Sequence, residues 1–438
     1  NNAGSSIYDY YGALSAQGTA DLPIVFTSNA PTPAPGDWKG ILFTDFTNDS
    51  ASILTTCTVE YGGSTSEKNW NIYCGGAHPA IKNCTIRYGS GAGIHLESSS
   101  PTIESNLISD NGQDGINGDS GSSPTVKSNT INNNGGIAVY VRTNRVVRIT
   151  GNTGTGNGEN VIKVSGGEIT ASGTWVKQDF PYVVTGDVTV RHSSATHFNT
   201  QTAAVLTIEP GVVVRFEPGT GLYIGLNNAG SSIYDYYGAL SAQGTADFPV
   251  VFTSNAPAPA PGDWKGIYFS NFTHDSKSMI EHVIVEYGGN SHEANIYCAS
   301  ASPTIKNSTI RNSDSRGIYV DGGSSPLIAD SLFTGNNDSP INVHALRVYR
   351  LIGNSGSDNG KDYIEVRGAE ITSTSTWSKQ GFPYVVTGDV TVRHSSVSHY
   401  NTQTTAVLTI EPGVVVRFEP GTGLYIGLNN AGSSIYDY

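Results

Sequence analysis

The chain has 438 residues, and its 24 lysines and arginines against 37 aspartates and glutamates give a formal net charge of −13. Charged residues make up only 14% of the sequence, where about 25% is usual. The acidic balance supplies no basic stripe for phosphate binding and no apolar run approaches the roughly 20 residues of a membrane helix, so we expect no nucleic-acid partner and no membrane insertion.

The composition predicts an all-β protein. Glycine occurs 52 times and methionine once, and the abundant Ser, Thr, Asn, Val, Ile and Tyr favour strands and turns over helices. Four cysteines are too few for a disulfide framework and lack zinc-site spacing. Weakly charged repeat chains of this kind are typical of secreted or surface-displayed proteins. With no initiator Met or signal-like start, we expect a mature or excised segment located outside the cell or on its surface.

The first ten residues form a motif that returns twice. The stretch Asn1–Tyr10 recurs unchanged from Asn227 and from Asn429, at steps of 226 and 202 residues. Such copying indicates a recent tandem duplication. The segment is either a window cut from a longer array or a subunit whose two ends resemble each other.

Two longer stretches carry the duplication. Residues 1–41 match 227–267 at 38 of 41 positions, and residues 174–226 match 376–428 at 47 of 53. We therefore divide one continuous solenoid into three repeats, of which the last is only a beginning. The repeats are 1–173, 174–375 and 376–438.

Tyrosines are concentrated at the start of each copy. These aromatic residues interrupt the surrounding pattern, and such side chains offer both apolar area and a hydrogen bond, as in interfaces and sugar sites. They either line a binding surface or cover an apolar flank of the fold. The candidates are Tyr8, Tyr10, Tyr11, Tyr234, Tyr236 and Tyr237.

A tryptophan follows a proline-rich loop in both copies. Trp38 lies in Asp37-Trp38-Lys39-Gly40, and Trp264 lies in the same four-residue phrase. Each follows an extended, proline-rich stretch. The two interpretations are anchoring of that loop and aromatic stacking on a sugar ring, so both tryptophans are also candidate glycan-binding residues.

A shorter period runs inside each repeat. The phrase Pro-x-(Ile/Val) begins at Pro79, Pro101 and Pro124 and again at Pro303 and Pro326, at steps of 22 or 23 residues. A Gly-Ile step follows about half a turn later. Each period therefore holds several short strands separated by Gly, Asn and Ser.

This period predicts a parallel β-helix with about 22 residues in each coil, or rung. It is too short for a propeller blade and lacks the helical half of a leucine-rich repeat. Rungs of a solenoid stack at about 4.8 Å, so equivalent residues form columns. We expect Ile81, Ile103 and Val126 to lie above one another.

The rungs resemble those of right-handed parallel β-helix proteins, the pectate-lyase-like superfold. The phrases Leu206-Thr207-Ile208-Glu209-Pro210-Gly211-Val212 and Asp263-Trp264-Lys265-Gly266-Ile267 are similar to frames in large microbial cell-surface β-helix repeats. The resemblance implies the fold over nearly the whole chain and is unspecific for activity. We expect no cofactor; structural calcium stays open, and the residues do not indicate it.

The cysteines fall at inward positions. Cys57 and Cys84 occupy the same place in successive rungs, so they are either a disulfide or two small buried apolar residues. Cys74 and Cys298 align with apolar core positions of neighbouring rungs.

An acid and a base recur on neighbouring rungs. Arg87 is a candidate catalytic base by resemblance, because the lyases that share this superfold use a basic residue on the outer face, often beside calcium. Glu60 is the outward residue one rung earlier, and the second repeat has Glu286 and Arg311. We favour a cross-rung ion pair.

Two histidines share a loop. His192 and His197 recur as His394 and His399, and a five-residue spacing reaches a metal. No third ligand is fixed nearby, so the simpler interpretation is a solvated loop without a metal.

These features favour a non-catalytic extracellular structural or adhesive solenoid, part of a surface fibre, filament or long tandem-repeat surface protein. Its end rungs present strand edges, so other copies of the chain, joined end to end, are expected partners. One alternative is a polysaccharide lyase or glycoside hydrolase acting on the outer face, although no catalytic residues stand out. The other is a non-catalytic glycan-binding module.

Overall fold

The structure is a computed structural model that describes residues 11–64, 69–119, 121–192, 203–227, 235–394 and 405–427. These residues form short strands, tight turns and four short 3-10 helices. The 3-10 helices span Asp49–Ala51, Thr143–Arg148, Asp275–Lys277 and Ala345–Arg350. Over the described ranges, no helix is both long and apolar enough to cross a membrane.

The strands are two to seven residues long and are numbered in chain order. Those before residue 166 are β1 (Ser15–Gln17), β2 (Ile24–Phe26), β3 (Ile41–Phe43), β4 (Ile53–Thr55), β5 (Cys57–Glu60), β6 (Trp70–Gly75), β7 (Ala80–Lys82), β8 (Thr85–Arg87), β9 (Ala92–Glu97), β10 (Thr102–Glu104), β11 (Leu107–Ser109), β12 (Ile116–Gly118), β13 (Thr125–Lys127), β14 (Thr130–Asn132), β15 (Ile137–Arg142), β16 (Ile149–Thr150) and β17 (Glu159–Ser165). The next are β18 (Gly167–Ile169), β19 (Gly173–Trp175), β20 (Tyr182–Val184), β21 (Val188–Val190), β22 (Ala204–Ile208), β23 (Val213–Phe216), β24 (Leu222–Ile224), β25 (Leu226–Asn227), β26 (Asp235–Tyr236), β27 (Gly238–Gln243), β28 (Val250–Ser254), β29 (Ile267–Phe269), β30 (Met279–Glu281), β31 (Val283–Glu286) and β32 (Ala294–Cys298). The last are β33 (Thr304–Lys306), β34 (Thr309–Arg311), β35 (Arg316–Val320), β36 (Leu327–Ala329), β37 (Leu332–Thr334), β38 (Ile341–His344), β39 (Leu351–Ile352), β40 (Ser355–Ser357), β41 (Ile364–Arg367), β42 (Ala369–Ile371), β43 (Ser375–Trp377), β44 (Tyr384–Val386), β45 (Val390–Val392), β46 (Leu408–Ile410), β47 (Val416–Phe418) and β48 (Leu424–Ile426).

The chain divides into two compact units. Unit 1 comprises Asn1–Gly167 and Trp175–Thr185, and unit 2 comprises Glu168–Thr174 and Gly186–Tyr438. The three repeats 1–173, 174–375 and 376–438 were defined by sequence duplication, whereas the two units are defined by spatial compactness. The division into three repeats stays a prediction.

Unit 1 consists of three parallel sheets. One follows the order β1-β4-β7-β10-β13-β16, another β2-β5-β8-β11-β14, and the third β3-β6-β9-β12-β15-β17-β20. Ile103 pairs with Ile81 on one side and with Val126 on the other, and all three are fully buried. The predicted column is confirmed, and one rung takes 22 or 23 residues here.

Unit 2 repeats this plan. Its sheets contain the orders β21-β24-β29-β32-β35-β38-β41-β44-β47, β22-β27-β30-β33-β36-β39, β23-β28-β31-β34-β37-β40, β42-β45-β48 and β43-β46, all parallel. A short antiparallel pair, β25 with β26, is the exception among the described strands. Each unit is thus a parallel β-helix, which confirms the predicted fold class.

Alternation along each strand builds the core. In β8, Ile86 is fully buried while Thr85 and Arg87 are partly exposed, because successive side chains of a strand point to opposite faces. Neighbouring rungs copy this pattern, so the inward residues form continuous apolar columns. The outward residues form columns as well, and these carry the polar and aromatic groups.

A column of buried asparagines lines one inner corner of unit 1. It runs through Asn106, Asn129 and Asn152 and ends on Gln178. Each Nδ2 of the asparagines donates both to the next side-chain oxygen and to a backbone carbonyl, for example from Asn129 to Ile103 at 3.0 Å. Buried amides are stable only when hydrogen-bonded, and the column satisfies them.

The backbone turns at this corner through the left-handed region. Ser105 and Ser128 directly precede Asn106 and Asn129 and have φ of 57° and 54°, and Asn83 takes the same place before Cys84 one rung earlier, with φ of 51°. Gly151 takes the same place in the rung after Ser128, at 65°. Left-handed backbone costs energy for residues other than glycine, and the buried amide bonds offset it.

All four cysteines are buried and free. Cys57 stacks beside Cys84, since Thr58 and Thr85 of the same two strands are paired. The interpretation as small buried residues is confirmed, and the structure contains no disulfide between them. Burial raises the pKa of the Cys84 thiol to about 12 and also raises that of Cys57.

Candidate functional site

Outward acids and bases pair across rungs. Glu60 lies directly beside Arg87, with Oε2 2.9 Å from Nε, and Glu286 lies 2.6 Å from Arg311 in the same way. The predicted ion pairs are confirmed. Further cross-rung pairs are Lys82–Glu104, Lys127–Glu104, Arg191–Glu168, Lys306–Glu281 and Arg393–Glu370. Such partly exposed pairs contribute about 0–1 kcal/mol each, so they report register more than stability.

A column of tyrosines runs along an outer face of unit 2. We call Tyr223, Tyr268, Tyr297 and Tyr319 the tyrosine column, because they are paired in series on β24, β29, β32 and β35. Successive ring centroids are 6.0, 5.3 and 4.8 Å apart, and the last two contacts are stacked. The stacked rings of Tyr297 and Tyr319 therefore offer mainly their edges and hydroxyls to solvent, whereas Tyr223 is tilted by 48° to Tyr268 and is not stacked on it.

Three phenols of this column stay protonated near neutral pH. Burial raises the pKa of Tyr223, Tyr268 and Tyr297 above the usual value of about 10. These three hydroxyls therefore keep their protons and are able to donate hydrogen bonds.

A pocket of about 430 Å³ opens at the first two rings of the column. Tyr223 and Tyr268 line it together with the polar side chains of Asp187, Thr189, Ser270 and Asn271. Lys265 Nζ lies 2.7 Å from Asp187 Oδ2 and 6.0 Å from the Tyr223 ring centroid. This ion pair raises the pKa of the Lys265 ammonium, which therefore stays positively charged near neutral pH. The ammonium neutralises the negative charge of Asp187 beside the rings.

His292 covers the column from a loop. Its ring lies 4.6 Å from that of Tyr268 and 6.0 Å from that of Tyr297. Burial lowers its pKa, so the imidazole is neutral near pH 7. Its Nδ1 is buried and has no hydrogen-bond partner among the described residues.

Arginine closes the other end of the column. The Arg367 guanidinium lies 4.7 Å from the ring centroid of Tyr319, and its Nη1 donates a 2.7 Å hydrogen bond to the Tyr319 hydroxyl. The column therefore begins at a neutralised ion pair and ends at a cation.

Unit 1 has a shorter aromatic cluster at the equivalent place. Tyr73 and His95 are paired on neighbouring strands, and Trp70 stacks on both at 4.7 and 4.9 Å. The Tyr73 hydroxyl donates to Glu97 at 2.5 Å, and burial together with this carboxylate raises the Tyr73 pKa to about 12. Leu42 pairs with Tyr73 from the preceding rung, whereas in unit 2 the residue at that position is Tyr268, which pairs with Tyr297.

The tyrosines predicted from the sequence divide into two groups. Tyr8, Tyr10 and Tyr234 lie outside the described residues. The other three have packing partners: Tyr11 lies against Phe46, Tyr237 lies against Phe272, and the Arg191 guanidinium lies 4.5 Å from the Tyr236 ring. These contacts suit the covering interpretation, and a binding role stays a prediction.

The two tryptophans anchor their loops. Nε1 of Trp38 donates to the carbonyl of Glu60, and Nε1 of Trp264 donates to that of Glu286, both at 2.8 Å. Trp264 is 0% exposed and stacks on Phe216 at 4.2 Å. The full burial of Trp264 favours the anchoring interpretation and leaves no exposed surface for a glycan there. Trp38 is half-buried and keeps part of its surface accessible, so a glycan contact at Trp38 stays a prediction.

The histidine loop lies mostly outside the described residues, so its interpretation stays a prediction. His192 and His394 are described, and His197 and His399 lie outside the described residues. Within the described part of the chain, no group of three or more His, Cys, Asp and Glu side chains is placed to hold a metal ion.

Sequence reasoning missed the tyrosine column, although a signal was present. The phrases Gly266-Ile267-Tyr268 and Gly317-Ile318-Tyr319 place a tyrosine directly after the inward isoleucine of the Gly-Ile step. The residue after an inward residue points outward, so tyrosines at this phase stack from rung to rung. His292 and Asp187 carried no such signal, because loops bring them to the column.

Two family models match the chain. The model described as a right handed beta helix region matches residues 37–179 and 263–417, and the model described as a pectate-lyase like beta helix domain matches residues 167–299. The first covers more than half of the sequence, so the chain belongs to the right-handed β-helix proteins. Comparisons with curated proteins and with solved structures found no match. The family establishes the fold and leaves the activity, substrate and partners to be proposed.

Proposed function

We propose that this chain is an extracellular structural or adhesive β-helix, and that the tyrosine column is its adhesive face. The observation that carries the proposal is the 430 Å³ pocket where Tyr223 and Tyr268 meet Asp187. The ligand that fits this chemistry is a neutral saccharide. The acidic, weakly charged composition supports a location outside the cell.

The pocket combines the two kinds of group that a sugar ring requires. Aromatic rings pack against its C–H faces, while carboxylate, amide and hydroxyl groups of Asp187, Asn271, Ser270 and Thr189 bind its hydroxyls. The volume lies within the roughly 300–1,000 Å³ of small-molecule sites. Because Lys265 neutralises Asp187, the pocket favours an uncharged ligand.

The placement of the acids supports binding without turnover. Glycoside hydrolysis needs two carboxylates about 5 to 10 Å apart around one bond. The outward Glu60, Glu104 and Glu286 each lie within 3.1 Å of a lysine or arginine on a neighbouring rung. Charges used in this way maintain the rung register.

The proposal is tested on a glycan array with the purified chain. Tyr268→Leu should reduce binding at least about tenfold, since it removes an aromatic wall of the pocket. Leucine is tolerated there by the fold, because unit 1 has Leu42 at the aligned position. Tyr140→Leu is the matched control, since Tyr140 is an outward tyrosine of unit 1 and does not line the pocket.

Three outcomes would overturn parts of this proposal. Absence of binding to any neutral glycan would remove the adhesive role. Equal binding by Tyr268→Leu and Tyr140→Leu would place the contact elsewhere. Release of sugar products from a polysaccharide panel would show turnover and favour the lyase or hydrolase alternative.

A further inference from the structure

Two short 3-10 helices carry arginines at matching positions of the two units. Thr143–Arg148 lies in unit 1 and Ala345–Arg350 lies in unit 2, 202 residues further on, and both contain the phrase Arg-Val-x-Arg. The arginines of this phrase are Arg145, Arg148, Arg347 and Arg350. Side chains three residues apart eclipse each other in a 3-10 helix, so each helix presents its two arginines as a row on one side.

Two further basic residues join the row of unit 2. His344 directly precedes the helix, and it pairs with Arg367 on the neighbouring strand β41. Burial lowers the pKa of His344, and the positive charges of Arg367 and Arg347 lower it as well, so the imidazole is neutral near pH 7. We call Arg347, Arg350, Arg367 and His344 the arginine corner.

The three arginines of this corner lack acidic partners. Elsewhere on unit 2, several cations are paired: Lys265, Arg311 and Arg316 each lie within 2.9 Å of an aspartate or glutamate oxygen. Among the described residues, no ion pair joins an arginine of the corner to an acid. The positive charge of the corner is therefore uncompensated within this part of the protein.

The acids whose charge reaches Arg367 are already engaged. These acids are Asp321 and Glu365. Asp321 Oδ1 accepts from the Ser324 hydroxyl at 2.6 Å, and Glu365 Oε2 lies 3.9 Å from Lys361 Nζ. Neither of them neutralises Arg367, so an external anion is the group that would complete the corner.

Hydrogen-bond donors are also left over at the corner. Arg367 is half-buried, and burial lowers the pKa of its guanidinium. Its Nη1 and Nη2 donate to the Tyr319 hydroxyl and the Val320 carbonyl. Its Nε, like Nε of Arg347, is buried and has no hydrogen-bond partner among the described residues. An uncompensated buried charge destabilises a protein, so this cluster is a candidate binding site.

Unit 1 has a simpler form of the corner. Arg145 and Arg148 form no ion pair with an acid in the described part of the chain. Ser165 stands where unit 2 has Arg367. Both units therefore have the row of two arginines, whereas the third arginine belongs to unit 2.

We propose that the arginine corner binds a sulfate or phosphate ester group of a polysaccharide, and that the row of unit 1 binds the same group more weakly. A guanidinium fork donates two parallel hydrogen bonds to such an anion. A tetrahedral ester has enough free oxygens to accept from more than one arginine, whereas the two oxygens of a carboxylate suit a single fork.

The polysaccharide as carrier of this anion rests on the proposed adhesive role. The Arg367 guanidinium lies 4.7 Å from the ring centroid of Tyr319, so the corner continues the tyrosine column. The anion site itself goes beyond that role, because it requires no ligand in the pocket at Tyr223 and Tyr268. A nucleic acid fits less well, since it requires a continuous basic stripe, and the net charge of the chain is −13.

Surface plasmon resonance with the full chain tests the anion site. The immobilised probes are dextran sulfate, dextran phosphate, plain dextran and polygalacturonate. At least one esterified dextran should bind about tenfold more tightly than plain dextran and polygalacturonate, and the tighter of the two identifies the ester. This binding should weaken with added salt. Because a chain of net charge −13 repels polyanions as a whole, such attraction reports a local site.

Substitution of Arg347 locates the contact. Arg347→Gln should lower the affinity for the esterified dextran about tenfold. Lys277→Gln is the matched control, because it also removes one positive charge, from an exposed lysine of another 3-10 helix in unit 2. It should bind like the unchanged chain. Arg347→Lys keeps the charge and loses the fork, so we expect an intermediate affinity.

The row of unit 1 provides a second set of variants. Arg145→Gln combined with Arg148→Gln should cause a smaller loss than Arg347→Gln, and the triple variant should bind the esterified dextran no better than plain dextran. Urea denaturation midpoints equal to that of the unchanged chain would show that these losses do not come from unfolding.

Specific results would overturn the inference. These are esterified dextrans that bind no more tightly than plain dextran, polygalacturonate that binds as tightly as they do, or equal losses for Arg347→Gln and Lys277→Gln. The adhesive proposal fails or stands separately, because Tyr268→Leu should keep its affinity for the esterified dextran and Arg347→Gln should still bind the neutral glycan array.

Discussion

Replacing Asn129 with alanine is expected to destabilise unit 1 by about 3–5 kcal/mol. The side chain is 1% exposed and makes four hydrogen bonds in the corner column. Its Oδ1 accepts from the backbone N and from Nδ2 of Asn106, both at 2.9 Å. Its Nδ2 donates to the carbonyl of Ile103 and to Oδ1 of Asn152, both at 3.0 Å.

The magnitude follows from which groups lose their partner. The backbone N–H of Asn106 is left buried and unpaired, which costs about 1–3 kcal/mol. Two other groups keep a second bond: Asn106 Nδ2 still donates to the carbonyl of Ile81 at 2.9 Å, and Asn152 Oδ1 still accepts from the backbone N of residue 129 at 3.0 Å. Each lost bond there costs about 0.5–1.5 kcal/mol, and bonds within one network do not add fully.

Asn129→Ser is the matched control, because unit 2 carries serine in this column. There the backbone N of Ser308 donates to the hydroxyl of Ser331 at 3.2 Å. A serine at position 129 should likewise accept from Asn106, so we expect a cost of only about 1–2 kcal/mol.

The assay is hydrogen exchange read by mass spectrometry on peptides of unit 1, supported by urea denaturation. Local exchange is needed because two compact units need not unfold together. A cost below about 1 kcal/mol for Asn129→Ala, or equal costs for alanine and serine, would refute the assignment of stability to the amide column.

Two further predictions concern titratable groups. Iodoacetamide should not label Cys57 and Cys84 in the native protein but should label both in urea-unfolded protein, because burial hinders access to the thiols and raises their pKa values. The labelling is read by peptide mass spectrometry. Labelling of the folded chain at the rate of a free thiol would contradict the burial of these cysteines. Burial also lowers the pKa values of His95 and His292 below the unfolded value of about 6.5. The stability that these neutral imidazoles contribute is present above that value and is lost as the pH falls through the folded pKa, and an NMR titration midpoint at or above about 6.5 for either ring would count against this reasoning.

Much of the fold was readable from local spacing. The steps between Pro79, Pro101 and Pro124 predicted the rung length, and Glu60 with Arg87 predicted the register of neighbouring outward residues. This works because each rung of a solenoid contacts only its neighbours. A repeat distance along the sequence is then also a distance of one rung in space.

The candidate site was harder to predict from the sequence. Sequence reasoning selected tyrosines of the copied motif together with Trp38 and Trp264, while the structure places Tyr223, Tyr268, Tyr297 and Tyr319 in one column. Their positions directly after the Gly-Ile step indicate that these tyrosines point outward. Whether they form one column depends on which strands become neighbours. That was decided by the pairing of β24, β29, β32 and β35.

The sequence by itself determined the repeat, the rung length and the alternation of inward and outward residues. Only the tertiary structure decided which side chains are covered and which loops meet. Trp38 and Trp264 stand in identical phrases, yet Phe216 covers only the second. Lys265 meets Asp187 across 78 residues of sequence. The physical reason is that burial depends on what lies on the adjoining rung, and loop residues follow no rung period.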